Sequence, residues 1–356
     1  MTFVGDKYCP EVSYEDPLAL DSISNIAKTG ANWIAIVVTE YQDYTNSTQI
    51  YPLINTTKHN DYFTFKTETP KGIENVINHA HRLGMKVMLK PHIDLTEEKN
   101  KLIWRGNIGE DFKTEEQWLA WFESYNQFIV KYAKMAQALN VDMFSLSCEL
   151  IVVSRRDDLW RNIIKNVRGV YSGVLTDSAN HDGEEFEKTW WDEMDYIGVD
   201  AYYLSIKTKD YTTNLTTMEQ QLTKVAEKLE KLSKKYKKDV IITEVGFCSG
   251  NCERNETATI YQQYMQAEFY DIFMKVFNRY DFIKGYFWWA WNSDPNFGNL
   301  EESCISPQHK FSEQVLKKYY VEKEVRNSKQ SIISNYIDYN NYLSVPKGTA
   351  KCICTI

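Results

Sequence analysis

Residues 240–247 read V-I-I-T-E-V-G-F, an apolar run broken near its end by a glutamate. A strand with one wet face alternates apolar and polar residues, whereas a strand buried on both faces is nearly continuous in Val, Ile, Leu and Phe. This stretch is of the second kind. Seven more runs of similar character lie at Thr2–Gly5, Trp33–Tyr41, Lys86–Ile93, Met143–Leu150, Gly173–Ala179, Tyr196–Tyr203 and Lys284–Trp291. All eight read as parallel strands.

Helical patterns separate them. Thr69 and Pro70 supply an N-cap and a first helical proline, and the stripe Ile73, Val76, Ile77, Ala80 and Leu83 follows before Gly84 closes it. Thr114–Gln117 and Thr217–Gln220 have capping-box spacing, each ahead of a long amphipathic run. Further helices are predicted at 17–29, 158–169, 186–194, 257–279 and 311–323. Eight alternations of strand and helix with right-handed crossovers close as one α/β domain, a (β/α)8 TIM barrel over residues 1–324. An open doubly wound sheet would want a glycine-rich phosphate turn, and G-x-G-x-x-G does not occur. Gln42–Glu68 reads as a long rim loop after the second strand, and 325–356 as a short C-terminal appendage on the barrel.

Composition narrows the function. The chain has 356 residues, 43% hydrophobic and 25% charged, which is ordinary for a globular protein. A net charge of −8 leaves no broad basic face for phosphate backbones, which argues against nucleic acid as a partner. No run approaches 18 uncharged apolar residues, so no membrane span is predicted, and a monomer is expected. The cysteines, Cys9, Cys148, Cys248, Cys252, Cys304, Cys352 and Cys354, are few and odd in number, and predict no disulfide framework. Their spacing, and the lack of H-E-x-x-H, predict neither a metal nor another cofactor. N-x-S/T triplets at Asn46, Asn55, Asn214 and Asn255 would accept glycans in an exported chain. They point to a secreted or lysosomal protein whose targeting segment is not in this sequence.

Barrels of this kind carry their reactive groups where strands end. Glu149 in F-S-L-S-C-E-L and Glu244 each interrupt an apolar strand end, where a carboxylate is costly unless it is paired or kept for reactivity. The same exits hold His92, Asp94 and Asn180, which could bind sugar hydroxyls or orient the glutamates. Tyr202 and Tyr203 stand at another exit. Only one can point inward, and that one could donate to Glu244. Trp289 and Trp291 are expected to share a face, one of them flooring the reacting sugar. Glu40 is a rival carboxylate. Paired carboxylates among aromatic platforms suit the hydrolysis of a glycosidic bond.

Seven motifs in order make the chain resemble glycoside hydrolase family 113, whose members are mainly endo-β-1,4-mannanases. They are G-A-N-W at 30–33, K-P-H-I-D-L at 90–95, W-R-G at 104–106, C-E-L at 148–150, D-Y-I-G-V-D-A-Y-Y at 195–203, T-E-V-G at 243–246 and F-W-W-A-W at 287–291. The resemblance implies Glu149 as acid/base and Glu244 as nucleophile of a retaining double displacement on an oligosaccharide or polysaccharide. Such a pair stands about 5–5.5 Å apart, against about 6.5–9.5 Å in an inverting enzyme. Cys148 occupies the place where many enzymes of the wider clan have Asn. Asp177 and His181 replace aromatic residues, and no proline follows Tyr203; these changes are expected on the rim. The alternatives are a catalytically silent carbohydrate-binding barrel and a retaining β-glycosidase acting on another glycan.

Overall fold

The computed structural model describes residues 1–5, 7–55, 58–59, 64–97, 103–181, 183–204, 214–250 and 257–321. Strands β1 (Thr2–Val4), β2 (Trp33–Gln42), β3 (Lys86–Leu95), β4 (Met143–Cys148), β5 (Val174–Asn180), β6 (Ile197–Asp200), β7 (Val240–Val245) and β8 (Ile283–Trp288) lie side by side in chain order. A ninth piece, β9 (Trp291–Asn292), pairs parallel with β1, while β8 pairs parallel with β7. The eighth stave is therefore split, and its two pieces bring the sheet round into a nearly closed (β/α)8 barrel. The longest register, Trp33 opposite Lys86 through Gln42 opposite Leu95, joins β2 to β3.

Helices α1 (Pro17–Lys28), α2 (Pro70–Arg82), α3 (Glu115–Ala138), α4 (Asp157–Arg168), α5 (Glu184–Glu187), α6 (Leu215–Tyr236), α7 (Ile260–Phe277) and α8 (Phe311–Val321) surround it. Local chemistry starts them as predicted at Thr69, whose side chain accepts from Gly72 N, and at the Thr114 capping box. Elsewhere the sequence misleads. The N-cap of α6 is Asn214, which accepts from Thr216 N, so Thr217–Gln220 falls inside the first turns. The predicted helix at 186–194 is a four-residue turn, α5, and a 3-10 turn at Trp190–Glu193, because the buried Lys188 and the Trp190 and Trp191 rings fill the space between.

Inside the barrel, Ala35, Met88, Met143, Ile241 and Phe287 form the lower layer, while Ile34, Ile36, Val87 and Leu89 pack outward against the helices. Successive strand residues face opposite ways, so Met88, Lys90, His92 and Asp94 rise in one column toward the mouth. A polar column inside a barrel needs partners, and these build the site. Of the rim loop, Tyr41, Leu53 and Phe65 form a small core with Tyr51, and a two-residue hairpin pairs Lys58–His59 with Thr64–Phe65. The tail at 325–356 and Asn255 lie outside the described residues.

The cysteine expectation is corrected. Cys9, Cys248 and Cys304 are disulfide-bonded, and Cys148 is the free, buried thiol among the described residues. An odd count gave no framework, yet one buried free thiol leaves an even number for pairing.

Candidate active site

The β4–β5 register breaks between Ser145 and Cys148, and Glu149 follows with φ of 54°. That left-handed conformation is rare outside glycine and Asn and collects at functional sites. The break sends Ser147 and Cys148 to different partners: Ser147 Oγ donates to Asp177 at 2.5 Å, while the Cys148 thiol faces Asp200 Oδ2 at 3.4 Å and Glu244 Oε1 at 3.8 Å. The two glutamates thus flank one sulfur. A Glu149 oxygen, the Cys148 sulfur and an Asp200 oxygen lie within 4.8 Å of one another.

The environments of the pair differ. Glu244 is gripped from two sides, by Lys90 Nζ at Oε1 and by the Tyr202 hydroxyl at Oε2, 2.9 Å away. Glu149 accepts from the Asn180 amide at 2.9 Å, and its nearest cation is Arg105 Nη1 at 3.8 Å. Burial, then the charges of Asp200 and Glu244, push the Glu149 carboxyl up to about 8. Burial and Asp200 also raise Glu244, against the pull of Lys90. With an ammonium in contact, Glu244 gives up its proton before Glu149 does.

A second layer holds the first. Arg105 reaches Asp94 through Nε at 3.0 Å and Nη2 at 3.2 Å, and its Nη1 points to His92 Nδ1 at 3.2 Å and Cys148 Sγ at 3.3 Å. Lys7 completes the cage on Asp94. Burial alone would raise Asp94, yet Arg105 and Lys7 hold it below the usual carboxylate range. Burial, reinforced by Arg105, Lys90 and Lys7, keeps the His92 imidazole neutral. A guanidinium has only donors, so His92 Nδ1 must accept and Nε2 carries the hydrogen. That Nε2 has no hydrogen-bond partner among the described residues and lies 3.8 Å from Glu244 Oε1, with the ring stacked 6.0 Å from Trp289.

The structure therefore brings together Glu149, Glu244, His92, Asp94, Asn180, Tyr202 and Trp289. It does not bring Tyr203 or Trp291 to them. The Tyr203 hydroxyl donates to Glu185 at 2.6 Å, and Trp291 is buried with its Nε1 on Ser22 Oγ at 3.0 Å. Trp289 and Trp291 do not share a face, because the strand stops at Trp288 and resumes as β9. Glu40 sits behind β2, against Lys131 and the Tyr132 hydroxyl. Asp177 is not on the rim: it is sealed against Lys188. Sequence reasoning missed Lys90, Arg105, Asp200 and Lys7.

By distance alone His92, Cys148 and Glu244 could share a cation, as could Cys148, Glu149 and Asp200. The fit is poor, because Lys90 and Arg105 already supply positive charge to both groups.

A (β/α)8 barrel that presents two carboxylates in contrasting environments at its mouth, beside a tryptophan, belongs among the glycoside hydrolases. The family model of Glycoside Hydrolase Family 113 matches residues 1–303, and the chain belongs to that family. Among solved structures, a GH113 β-1,4-mannanase superposes with a TM-score of 0.73 at 23% identity, over 90% of this chain and 97% of that one. The GH113 β-mannanase AaManA from Alicyclobacillus acidocaldarius, in complex with ManMIm, gives 0.72 at 24%, over 90% and 96%. A β-D-glucuronidase from Dictyoglomus thermophilum gives 0.56 at 14%, over 85% of this chain and 46% of that one. These likenesses speak to the fold. No curated protein matches.

Proposed function

We propose that this chain is a retaining endo-β-1,4-mannanase that acts as a monomer by double displacement, with Glu149 as acid/base and Glu244 as nucleophile. One observation carries the reading: of two buried carboxylates beside one thiol, Glu244 is held by Lys90 and Tyr202 while Glu149 keeps its proton to about pH 8. In the first step a Glu244 oxygen bonds to the anomeric carbon as the glycosidic C–O bond breaks, and the Glu149 proton passes to the leaving oxygen. Esterified Glu244 no longer carries charge, so Glu149 becomes the stronger acid and stays ionised. It then takes a proton from water, whose oxygen attacks the anomeric carbon and releases Glu244.

Family membership and the likeness to GH113 mannanase structures support mannan as substrate. The His92 N–H beside Glu244 and the ring of Trp289 supply a donor and an apolar face for the reacting sugar. Incubation with mannan, glucomannan and cellulose oligosaccharides, with products followed by chromatography and proton NMR, tests the reading. Internal cleavage of the mannan series with β-configured first product is expected. An α-configured first product would remove the retaining step, and no product from any series would leave a silent binder or another glycan.

Export into an oxidising compartment is part of the same reading. Disulfide-bonded Cys9, Cys248 and Cys304 support it, as do the exposed Asn46, Asn55 and Asn214. A loss of mass on deglycosylation of the protein from its native source is the expected result.

A further inference from the structure

Lys90 lies in the middle of the inward column of β3, with its side chain wholly enclosed. Its Nζ stands 3.1 and 3.3 Å from the two oxygens of Asp200 and also reaches Glu244 Oε1. Asp200 is equally enclosed, and it takes the Thr243 hydroxyl at 2.7 Å and the Cys148 thiol at 3.4 Å. Neither side chain is within reach of a sugar. Burying an ammonium and a carboxylate costs several kcal/mol per ion, and apolar packing would fill a barrel wall as well. A pair kept at that cost directly beneath a reactive carboxylate calls for a role in the reaction.

We propose that Lys90 and Asp200 are a positioning pair acting through Glu244: Lys90 fixes the nucleophile by one oxygen, and Asp200 anchors Lys90 and places a further carboxylate beside Glu149. This rests on the roles given above to Glu149 and Glu244. Two donors on different oxygens, Lys90 and Tyr202, set the plane of the Glu244 carboxylate. The other charged or titratable groups facing this trio are His92 and Asp94 from β3, Arg105 from the turn after it, Cys148 and Glu149 from β4 and its exit, and Lys7 and Tyr8 after β1.

The signs are opposite for the two partners. Without Lys90, Glu244 faces Asp200 as one bare charge faces another, so it binds a proton more readily. Without the Asp200 charge, Lys90 serves Glu244 alone and Glu149 loses a negative neighbour, so both carboxyls release protons earlier.

The test is a pH profile of kcat/KM on an activated aryl glycoside for Lys90→Met, Asp200→Asn and the double variant. Near-UV circular dichroism reports the folded fraction. The acid limb is expected to rise by about 1–3 pH units in Lys90→Met, as for loss of an opposite charge at contact. In Asp200→Asn both limbs should fall, and the double variant should return the acid limb toward its original place. Should Lys90→Met fail to fold, the downward shift of both limbs in Asp200→Asn, with the acid limb back near its original place in the double variant, carries the test. Titration of the Glu244 carboxyl by carbon-13 NMR, in protein labelled at glutamate Cδ and assigned with Glu244→Gln, reads the same displacement without turnover. It separates a failure of this pairing from a failure of the enzymatic reading. Limbs and carboxyl titration unmoved, or moved in the same direction by both substitutions in folded protein, would overturn the proposal.

Discussion

Two lysines in this barrel each stand, fully enclosed, between two carboxylates, and they have opposite fates. Lys188 reaches Asp177 and, at 3.0 Å, Glu184; all three side chains are 0% exposed. The Trp190 and Trp191 rings close over the ammonium at 4.4 and 5.2 Å, Ser147 caps Asp177, and the Asn180 backbone N–H caps Glu184 at 2.7 Å. Lys90 has the same charge count, but its Glu244 corner is 5% exposed and the neighbouring Glu149 side chain 11%. One corner, sealed in the first trio and open in the second, separates the two. The two regions even share residues: Ser147 serves the sealed trio and Cys148 the open one, while Asn180 gives its backbone to Glu184 and its amide to Glu149.

Substitution at the open corner should therefore cost turnover, and substitution in the sealed trio should cost stability. Glu244→Ala is expected to lower kcat by at least about 10⁴-fold, the scale for removing a nucleophile, which is the role proposed for it, in a protein that still folds. Lys188→Met leaves Asp177 and Glu184 buried without their cation and is expected to cost about 3–5 kcal/mol in urea unfolding, with kcat per folded molecule unchanged. Unfolding by the first substitution, or loss of turnover at full stability by the second, would erase the distinction.

Between these extremes lie effects on the open trio's tuning. Tyr202→Phe removes one donor to Glu244 Oε2, and a hydrogen bond to a charged group is worth about 1.5–3 kcal/mol, so a loss of about 10- to 150-fold in kcat/KM is expected. The pH profile sharpens the comparison further. On the roles proposed above, turnover needs Glu244 ionised and Glu149 protonated, so activity should appear only above the ordinary carboxylate range and fall tenfold per pH unit as pH rises past about 8. Unfolding should not track that basic limb.

What could be read in the sequence follows from how locally each feature is encoded. The eight staves and the two glutamates were legible, because a near-continuous apolar run and a carboxylate breaking it are visible within ten residues. Lys90 is hidden, since its partners lie 110 and 154 residues away and the run Lys86–Ile93 reads as a strand buried on both faces. A period-two reading of the same strand, with Met88, Lys90, His92 and Asp94 on one face, held the signal. Trp291 departs from the expected face because alternation does not run across Trp289 and Ala290, where the stave is split.

The smallest expected effect concerns the residue at the seam between the two regions. Cys148 takes Arg105 Nη1 at 3.3 Å and faces Asp200 at 3.4 Å, so it links the cation cage around Asp94 to the trio beneath Glu244. Burial pushes its thiol well above the ordinary range, and Asp200 and Glu244 add to that, so the link is uncharged. A neutral link can be replaced by another neutral donor and acceptor. Cys148→Ser should change kcat/KM by less than about tenfold, within the net worth of a hydrogen bond. The thiol itself should resist iodoacetamide at pH 8, because the thiolate is the nucleophile and it is disfavoured here. Rapid alkylation there, or loss of activity in Cys148→Ser as deep as that of Glu244→Ala, would mean that the sulfur carries charge, and the division between a sealed ion trio and an open one would need a third charged member.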